Sequence, residues 1–373
     1  MGMSAIAATL ILTVSTGAPI PDKVIDGQNQ VFQRLWGVNF RWKLDDLPAR
    51  GQVKKHRLPY SGYIYPDTKG GTAYMLRKYD YAANNGRMRA TSYEAWDTTA
   101  FKERVTRRGL FGFGMSQFET PYWHGHCNGW TAATIRHAEP KRSVEVNGVV
   151  FTPSDIKGLL AEIYLYNDTV VLVGEPHPVN AGTLHAVIAN WLGRGCHPLG
   201  MESDPSEEKW NYPIYAYTTT SKKRSARTVE VKMNLAYAKD SNGEHEKSPL
   251  IQKVKYFHYD LTLNNKGEIV GGEFYRDSSI IDLLWLPLRP KPSGERGHER
   301  GNPHVDVDKV LAIWRASVPA EERHQWYVAD PTKEDRITDD QLMWGRRLLP
   351  TQNPDIEEER TPISTSWLPN DRR

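Results

Sequence analysis

The sequence predicts an α+β fold in which a thiol-bearing helix packs on an antiparallel sheet or partial barrel. Strand-like segments follow one another at residues 184–192, 212–219, 228–237, 254–263 and 268–275. Successive strands joined by short turns pair antiparallel. Two earlier segments, 130–135 and 153–166, read as helices. The first of them starts just after Cys127, which sits between Gly125 and Gly129. A chain of 373 residues is long enough to bury a large core around such an arrangement.

Taken in order, residues 5–14 are apolar and no charge precedes Asp22. This predicts an export signal over 1–20, with a first strand or a mis-set start as alternatives. The run is too short for a membrane span. Residues 30–45 fit a strand or a short helix, 58–66 an extended segment, and Gly70-Gly71 a loop. Residues 93–107 suit a helix and 109–114 a Gly/Phe loop. Asn147-Gly148, between alternating residues of 144–151, signals a hairpin. Pro153 opens a helix capped by Thr152 or Ser154, with Ile156, Leu159, Leu160 and Ile163 on one face.

Asn264-Asn265-Lys266-Gly267 reads as a turn and Lys222-Lys223-Arg224 as a solvated loop between strands. The organisation expected is an N-terminal part or pro-segment over 21–115 and a catalytic core over 116–290. A linker over 291–304, a packing helix over 305–318 and a polar tail over 319–373 follow.

The net charge of +3 gives no sign of a nucleic-acid or membrane-surface partner. The 12 Trp and 18 Tyr suit strands, or a surface that stacks on sugars. With only 2 cysteines, Cys127 and Cys196, a disulfide framework is excluded as the main stabiliser. The two could pair with each other, and Cys127 would then be no nucleophile.

The segment Trp123-His124-Gly125-His126-Cys127-Asn128-Gly129-Trp130 places a thiol at a helix start, where free N–H groups and the macrodipole favour a thiolate. Cysteine acyl transfer needs this thiolate, an imidazole, a group to orient the imidazole, and oxyanion donors. The flanking glycines allow close substrate approach. The Cys127 N–H supplies one oxyanion donor, with Trp123 or Gln117 as a second. His185 begins an apolar, strand-like run and is either a satisfied structural histidine or the base. Asp204 follows a strand-length and a turn later and is the expected orienter, with Glu202 as the fallback. Zinc ligation by His124, His126, Cys127 and His137, or by Cys196-His197, lacks a recognised ligand frame, so no metal is expected.

Trp123-x-Gly125-His126-Cys127-Asn128-Gly129-Trp130-x-Ala132-Ala133 resembles the nucleophile motif of the transglutaminase-elicitor family. Ser154-Asp155-Ile156-Lys157-Gly158-Leu159 is similar to the helix that follows in that family, and Asn180-x-Gly182-x-Leu184-His185 to its histidine segment. Trp210-Asn211-Tyr212-Pro213 resembles its Trp-Asn-x-Pro elicitor peptide. Gly271-Gly272-Glu273-Phe274 and Leu284-Trp285-x-Pro287 are similar to its late strands. The resemblance implies a papain-like, transglutaminase-like arrangement with Cys127, His185 and Asp204 in that order, and Asn128 and Trp130 beside Trp123 at the substrate.

The activity so implied is protein-glutamine γ-glutamyl transfer through a cysteine thioester to lysine or another primary amine, in a secreted or cell-envelope protein. No cofactor is expected, and calcium dependence is left open. The partners would be a glutamine donor and an amine acceptor, a cell-wall protein among them. The same thioester ending on water would make a cysteine peptidase or glutamine deamidase. A non-catalytic wall-associated or recognition protein is the third alternative.

Overall fold

The computed structural model describes residues 19–108, 114–290 and 301–328. The expected signal segment up to residue 18, the loop at 109–113, the linker at 291–300 and the tail beyond 328 lie outside the described residues.

The elements run α1 (Asp22–Trp36), β1 (Arg50–Gln52), α2 (Ala73–Ala83), α3 (Arg89–Ala100), β2 (Glu103–Arg108), β3 (Gly114–Glu119), α4 (Cys127–Arg136), β4 (Val144–Val146), β5 (Val149–Phe151), α5 (Pro153–Leu165) and β6 (Asn167–Val173). They continue with α6 (Ala181–Ile188), β7 (Leu199–Glu202), β8 (Asn211–Lys223), β9 (Thr228–Ala238), β10 (Gln252–Leu263), β11 (Ile269–Phe274), β12 (Leu283–Pro290), α7 (Val307–Ser317) and α8 (Ala320–Val328).

An 8-stranded sheet in the order β11-β10-β9-β8-β7-β12-β6, with β1 also on β8, forms the centre. Every pairing in it is antiparallel. The mixed class and the antiparallel sheet are as the sequence predicts. Helix α6 packs against β11 and β10 at one end of the order and against β6 at the other. One helix touching both edge strands requires the sheet to curl around it. The chain before α1 joins the β11 edge through Ile20 N–H to Val270 O (2.8 Å). Gln28 of α1 donates to Leu172 O of β6 (2.6 Å). Segment 19–36 thus spans the gap between the two edges.

Local chemistry explains several of these elements. Asn147 (φ 51°) and Gly148 (φ 77°) both sit in the left-handed region that a tight β4–β5 turn requires. Thr152 accepts from Asp155 N–H while Asp155 accepts from Thr152 N–H, a capping box worth about 1 kcal/mol at the start of α5. Pro213, unusual inside a sheet, pairs with Gly200 just before the β9 pairing begins at Ile214.

Three expectations need correction. Residues 184–192 are not a strand. They belong to α6 and to the helical turn Ala189–Arg194 that continues it. Asn180 caps this helix by accepting from the N–H groups of Gly182 and Thr183 (2.9 and 3.4 Å). The whole of α6 is buried, so an unbroken apolar run carries no period that separates helix from strand. Residues 93–107 divide between α3 and β2, while 30–36 are the end of α1, in line with the short-helix alternative and closed by Gly37 at φ 70°. The start of the expected tail forms α8.

Candidate active site

Helix α4 packs against α5 and against β7, β8 and β12. Its start is held by backbone. His126 N–H donates to Ile64 O (2.6 Å), and a Cβ on Gly125 would stand 2.6 Å from that same oxygen. A Cβ on Gly129 would stand 2.1 Å from Ala161 O of α5. The glycines flanking Cys127 therefore serve close backbone packing, and Gly125 also lines the cavity on the sulfur.

Cys127 is the first residue of α4 and only 6% exposed. Its thiol donates to Lys209 O at 3.4 Å, and Asn211 Nδ2 lies 3.9 Å from Sγ. Trp285 Nε1 fixes that amide by donating to Asn211 Oδ1 at 2.9 Å. Burial pushes the Cys127 thiol up, against hydrogen bonds from the N–H groups of Asn211 and Asn128. The resting group is thus a thiol with amide donors arranged for a negative sulfur, rather than the standing thiolate that a helix start alone suggests.

A cavity of about 400 Å³ opens on the sulfur. Trp123, His124, Glu202, Lys209, Asn211 and Trp285 are among its walls. Glu202 lies directly across the β7–β8 pair from Asn211, so the two side chains share a face. Glu202 is 8% exposed, and its Oε1 accepts no hydrogen bond of good geometry although Lys209 Nζ is 3.2 Å away. Burial raises the Glu202 carboxyl above the ordinary range, against the nearby Lys209 charge. A larger cavity, about 820 Å³ beside Tyr79, Arg89 and His304, has no cysteine in its wall.

His126, one residue before the nucleophile, turns away from this cavity into a buried acidic cluster. Its Nε2 lies 2.9 Å from Glu162 Oε2 and 3.5 Å from Glu94 Oε1. Thr72 Oγ1 donates to Glu162 Oε2 (2.6 Å), and Thr72 N–H donates to Glu94 Oε1 (2.8 Å). Burial opposes a charge on the ring, but the Glu94 charge and the Glu162 hydrogen bond lift the His126 pKa to about 9. Burial and then Glu162 push Glu94 up to about 7. Among the described residues, these three bring ligand atoms within 4.8 Å of one another, the set best placed to hold a cation. The metal alternatives weighed from sequence are not assembled: His137 Nε2 meets the Tyr164 hydroxyl (2.7 Å) and His197 Nδ1 meets Pro198 O (2.7 Å).

The other predicted residues divide clearly. Trp123 and Asn128 wall the cavity. Trp130 is core, packed between Gly62 and Tyr212. Gln117 is exposed on the β2–β3 hairpin. His185 is not brought to Cys127. It lies on α6, and its Nδ1 meets the Tyr259 hydroxyl of β10 at 2.8 Å. Asp204 is not brought to His185. It sits in the loop after β7, accepting from Ser206 N–H at 2.9 Å. The pairing of His185 with Asp204 assumed two adjacent strands, and one of those strands is a helix. No disulfide joins Cys127 and Cys196.

Sequence reasoning misses Asn211, Lys209 and Trp285 as cavity residues, although Asn211 and Trp285 fall inside the Trp210–Pro213 and Leu284–Pro287 motifs. Trp210-Asn211-Tyr212-Pro213 is the start of β8, and its Asn211 touches the sulfur.

A buried thiol at a helix start, opened to a cavity by strands of an antiparallel sheet, defines a cysteine-centred α+β protein. Residues 113–177, the segment that holds Cys127, match the family described as Transglutaminase elicitor. Over that segment the match agrees with the resemblance to the transglutaminase-elicitor family read from the Cys127 and Ser154–Leu159 motifs. The fold is similar to the crystal structure of the GP42 transglutaminase from Phytophthora sojae, with a TM-score of 0.61 and 22% identity. That likeness covers 81% of this chain and 100% of the other, and at this identity it is a likeness of fold. No curated protein matches the chain. Among the described residues, no helix is long and apolar enough to cross a membrane.

Proposed function

We propose that the protein is a transglutaminase-type acyltransferase that works through a Cys127 thioester. The observation that carries this is the free Cys127 thiol at a helix start, beside amide donors and open to a cavity of about 400 Å³. Cys127 attacks the side-chain amide of a glutamine. The C–S bond forms, the C–N bond breaks, and the thiol proton leaves with the nitrogen as ammonia. A primary amine then takes the acyl group. In this reading Asn211 and the N–H at the start of α4 receive the oxyanion, a role supported by their closeness to the sulfur.

Glu202 is the proton carrier in this reading. It shares the cavity and the sheet face with Asn211, and burial moves its carboxyl towards the range useful for acid–base work. His124 is the imidazole in the same wall, stacked on Phe101 at 4.8 Å with Nδ1 3.9 Å from Asp67. It is placed to support the substrate beside Trp123. Transfer to water would give a deamidase or peptidase from the same thioester. The Trp123 and Trp285 walls favour the amine by limiting water. The charge-free apolar run at 5–14 supports work outside the cell or in its envelope.

The test is incorporation of a labelled primary amine into a glutamine-containing protein, with ammonia measured in parallel. Wild type is expected to give both and Cys127→Ala neither. Ammonia without incorporation would move the reading to hydrolysis. Neither product from wild type would overturn it in favour of a recognition protein.

A further inference from the structure

We infer that Glu202 and Asp282 form the subsite for the amine acceptor, and that Lys209 occupies it when no substrate is bound. This rests on the acyl-transfer reading of Cys127.

Lys209 Nζ lies 2.6 Å from Asp282 Oδ2 and 3.2 Å from Glu202 Oε1. A primary alkylammonium is thus already held between two carboxylates at the wall of the thiol cavity. The carboxylates belong to the fold rather than to flexible surface. Asp282 N–H donates to Glu202 O at 3.0 Å, and Leu283, the next residue, pairs with Glu202 across β7–β12. The lysine is the more exposed partner: its side chain is 43% exposed, against 11% for Glu202 and 24% for Asp282. Glu202 Oε1, buried and lining the cavity, still accepts no hydrogen bond of good geometry. An incoming ammonium that displaces Lys209 can satisfy it. The backbone carbonyl of that same lysine accepts from the Cys127 thiol, so the occupant and the nucleophile lie on one short segment.

The chemistry required of an acceptor fits this pair. A lysine side chain arrives as an ammonium and must lose protons to become a nucleophile. Its nitrogen bonds to the thioester carbonyl carbon, and the C–S bond breaks. Of its three N–H protons, one stays on the new amide and one returns to the departing sulfur. The third passes to Glu202 and then to water. Carboxylates select cationic amines and discriminate against neutral nucleophiles.

The test measures KM for a labelled cadaverine, for hydroxylamine (uncharged at neutral pH) and for the glutamine peptide. It uses wild type, Asp282→Asn and Lys209→Gln in the full chain. Losing one carboxylate from a partly exposed ion pair should raise the cadaverine KM about fivefold. Lys209→Gln should lower it by a similar factor, a gain that a misfolded variant cannot produce. The glutamine and hydroxylamine values should each move less than about twofold. Cadaverine KM unmoved in both variants, or hydroxylamine KM moving in parallel with it, overturns the subsite while leaving Cys127 chemistry intact. Absence of ammonia from wild type overturns the acyl-transfer reading, and the subsite with it.

Discussion

Helices α4 and α6 are both short and almost wholly buried, and each has a histidine, His126 at the N-cap of α4 and His185 in the last turn of α6. At the start of α4 the imidazole of His126 faces inward to Glu162 and Glu94, and the next residue puts a thiol on a cavity. On α6 the His185 imidazole meets one tyrosine hydroxyl inside the curl of the sheet, and no residue of α6 walls the thiol cavity. A polar residue on an apolar element is therefore not in itself a functional signal. What separates the two is the partner surface. Helix α4 packs on β7, β8 and β12, which supply Glu202 at the end of β7, Asn211 at the start of β8 and Trp285 near the start of β12, whereas α6 is enclosed by β10, β11 and β6. The site forms where strand ends leave a gap. Where the sheet wraps a helix, it forms core.

Removing the support of α4 should have the largest effect. Glu162→Ala leaves the charged His126 ring buried without its hydrogen-bond partner, with Glu94 still beside it, a change expected to cost about 3 kcal/mol. Urea unfolding should show this loss, and Glu162→Gln should recover part of it by keeping a hydrogen bond. A stability change below about 1 kcal/mol would mean that the cluster does not anchor α4.

The α6 side is open to a pH test. Burial holds the His185 imidazole down to about 4, from an ordinary value near 6.5. Between those values the unfolded chain binds a proton that the native ring refuses. Stability should therefore fall as pH drops from about 6.5 towards 4, by roughly 3 kcal/mol at most from this group. Comparing urea midpoints at both ends of that range, His185→Gln should lose less on acidification than wild type. Equal losses would show the ring to be better solvated than its burial indicates.

A smaller effect is expected at the α4–α5 contact. Gly129→Ala must displace the backbone at Ala161 and should cost about 1–3 kcal/mol in thermal unfolding. The smallest is at Asp204, whose hydrogen bond to Ser206 N–H lies in a surface loop. Asp204→Ala should change stability by less than about 0.5 kcal/mol and amine incorporation by less than about twofold. A large loss of activity there would restore Asp204 to the chemistry.

Legibility in the sequence followed the locality of the physics. Asn147-Gly148, the Thr152–Asp155 cap and the strands after residue 211 are set by neighbours in the chain, and each was readable. Cys127 was readable for the same reason: its helix start and glycines are local. Helix α6 was not, because a run buried on all sides has no polar face to mark its period. Glu202 surfaced only as a fallback, since its relation to Asn211 depends on the β7–β8 register. Asp282 could not be found from spacing, because its approach to Lys209 is fixed by β12 lying beside β7. His185 stood out for being polar in an apolar run, and Tyr259, 74 positions later, is what answers it.

The most direct measurement sets Glu202→Gln against His185→Gln in the same amine-incorporation assay, with thermal unfolding to confirm that both fold. Glu202→Gln should lower the turnover rate by about 10²-fold or more, the range of a lost acid–base group. His185→Gln should stay within about threefold of wild type. The reverse result, with His185→Gln inactive and Glu202→Gln active, would contradict the assignment of the thiol's proton partner to the end of β7.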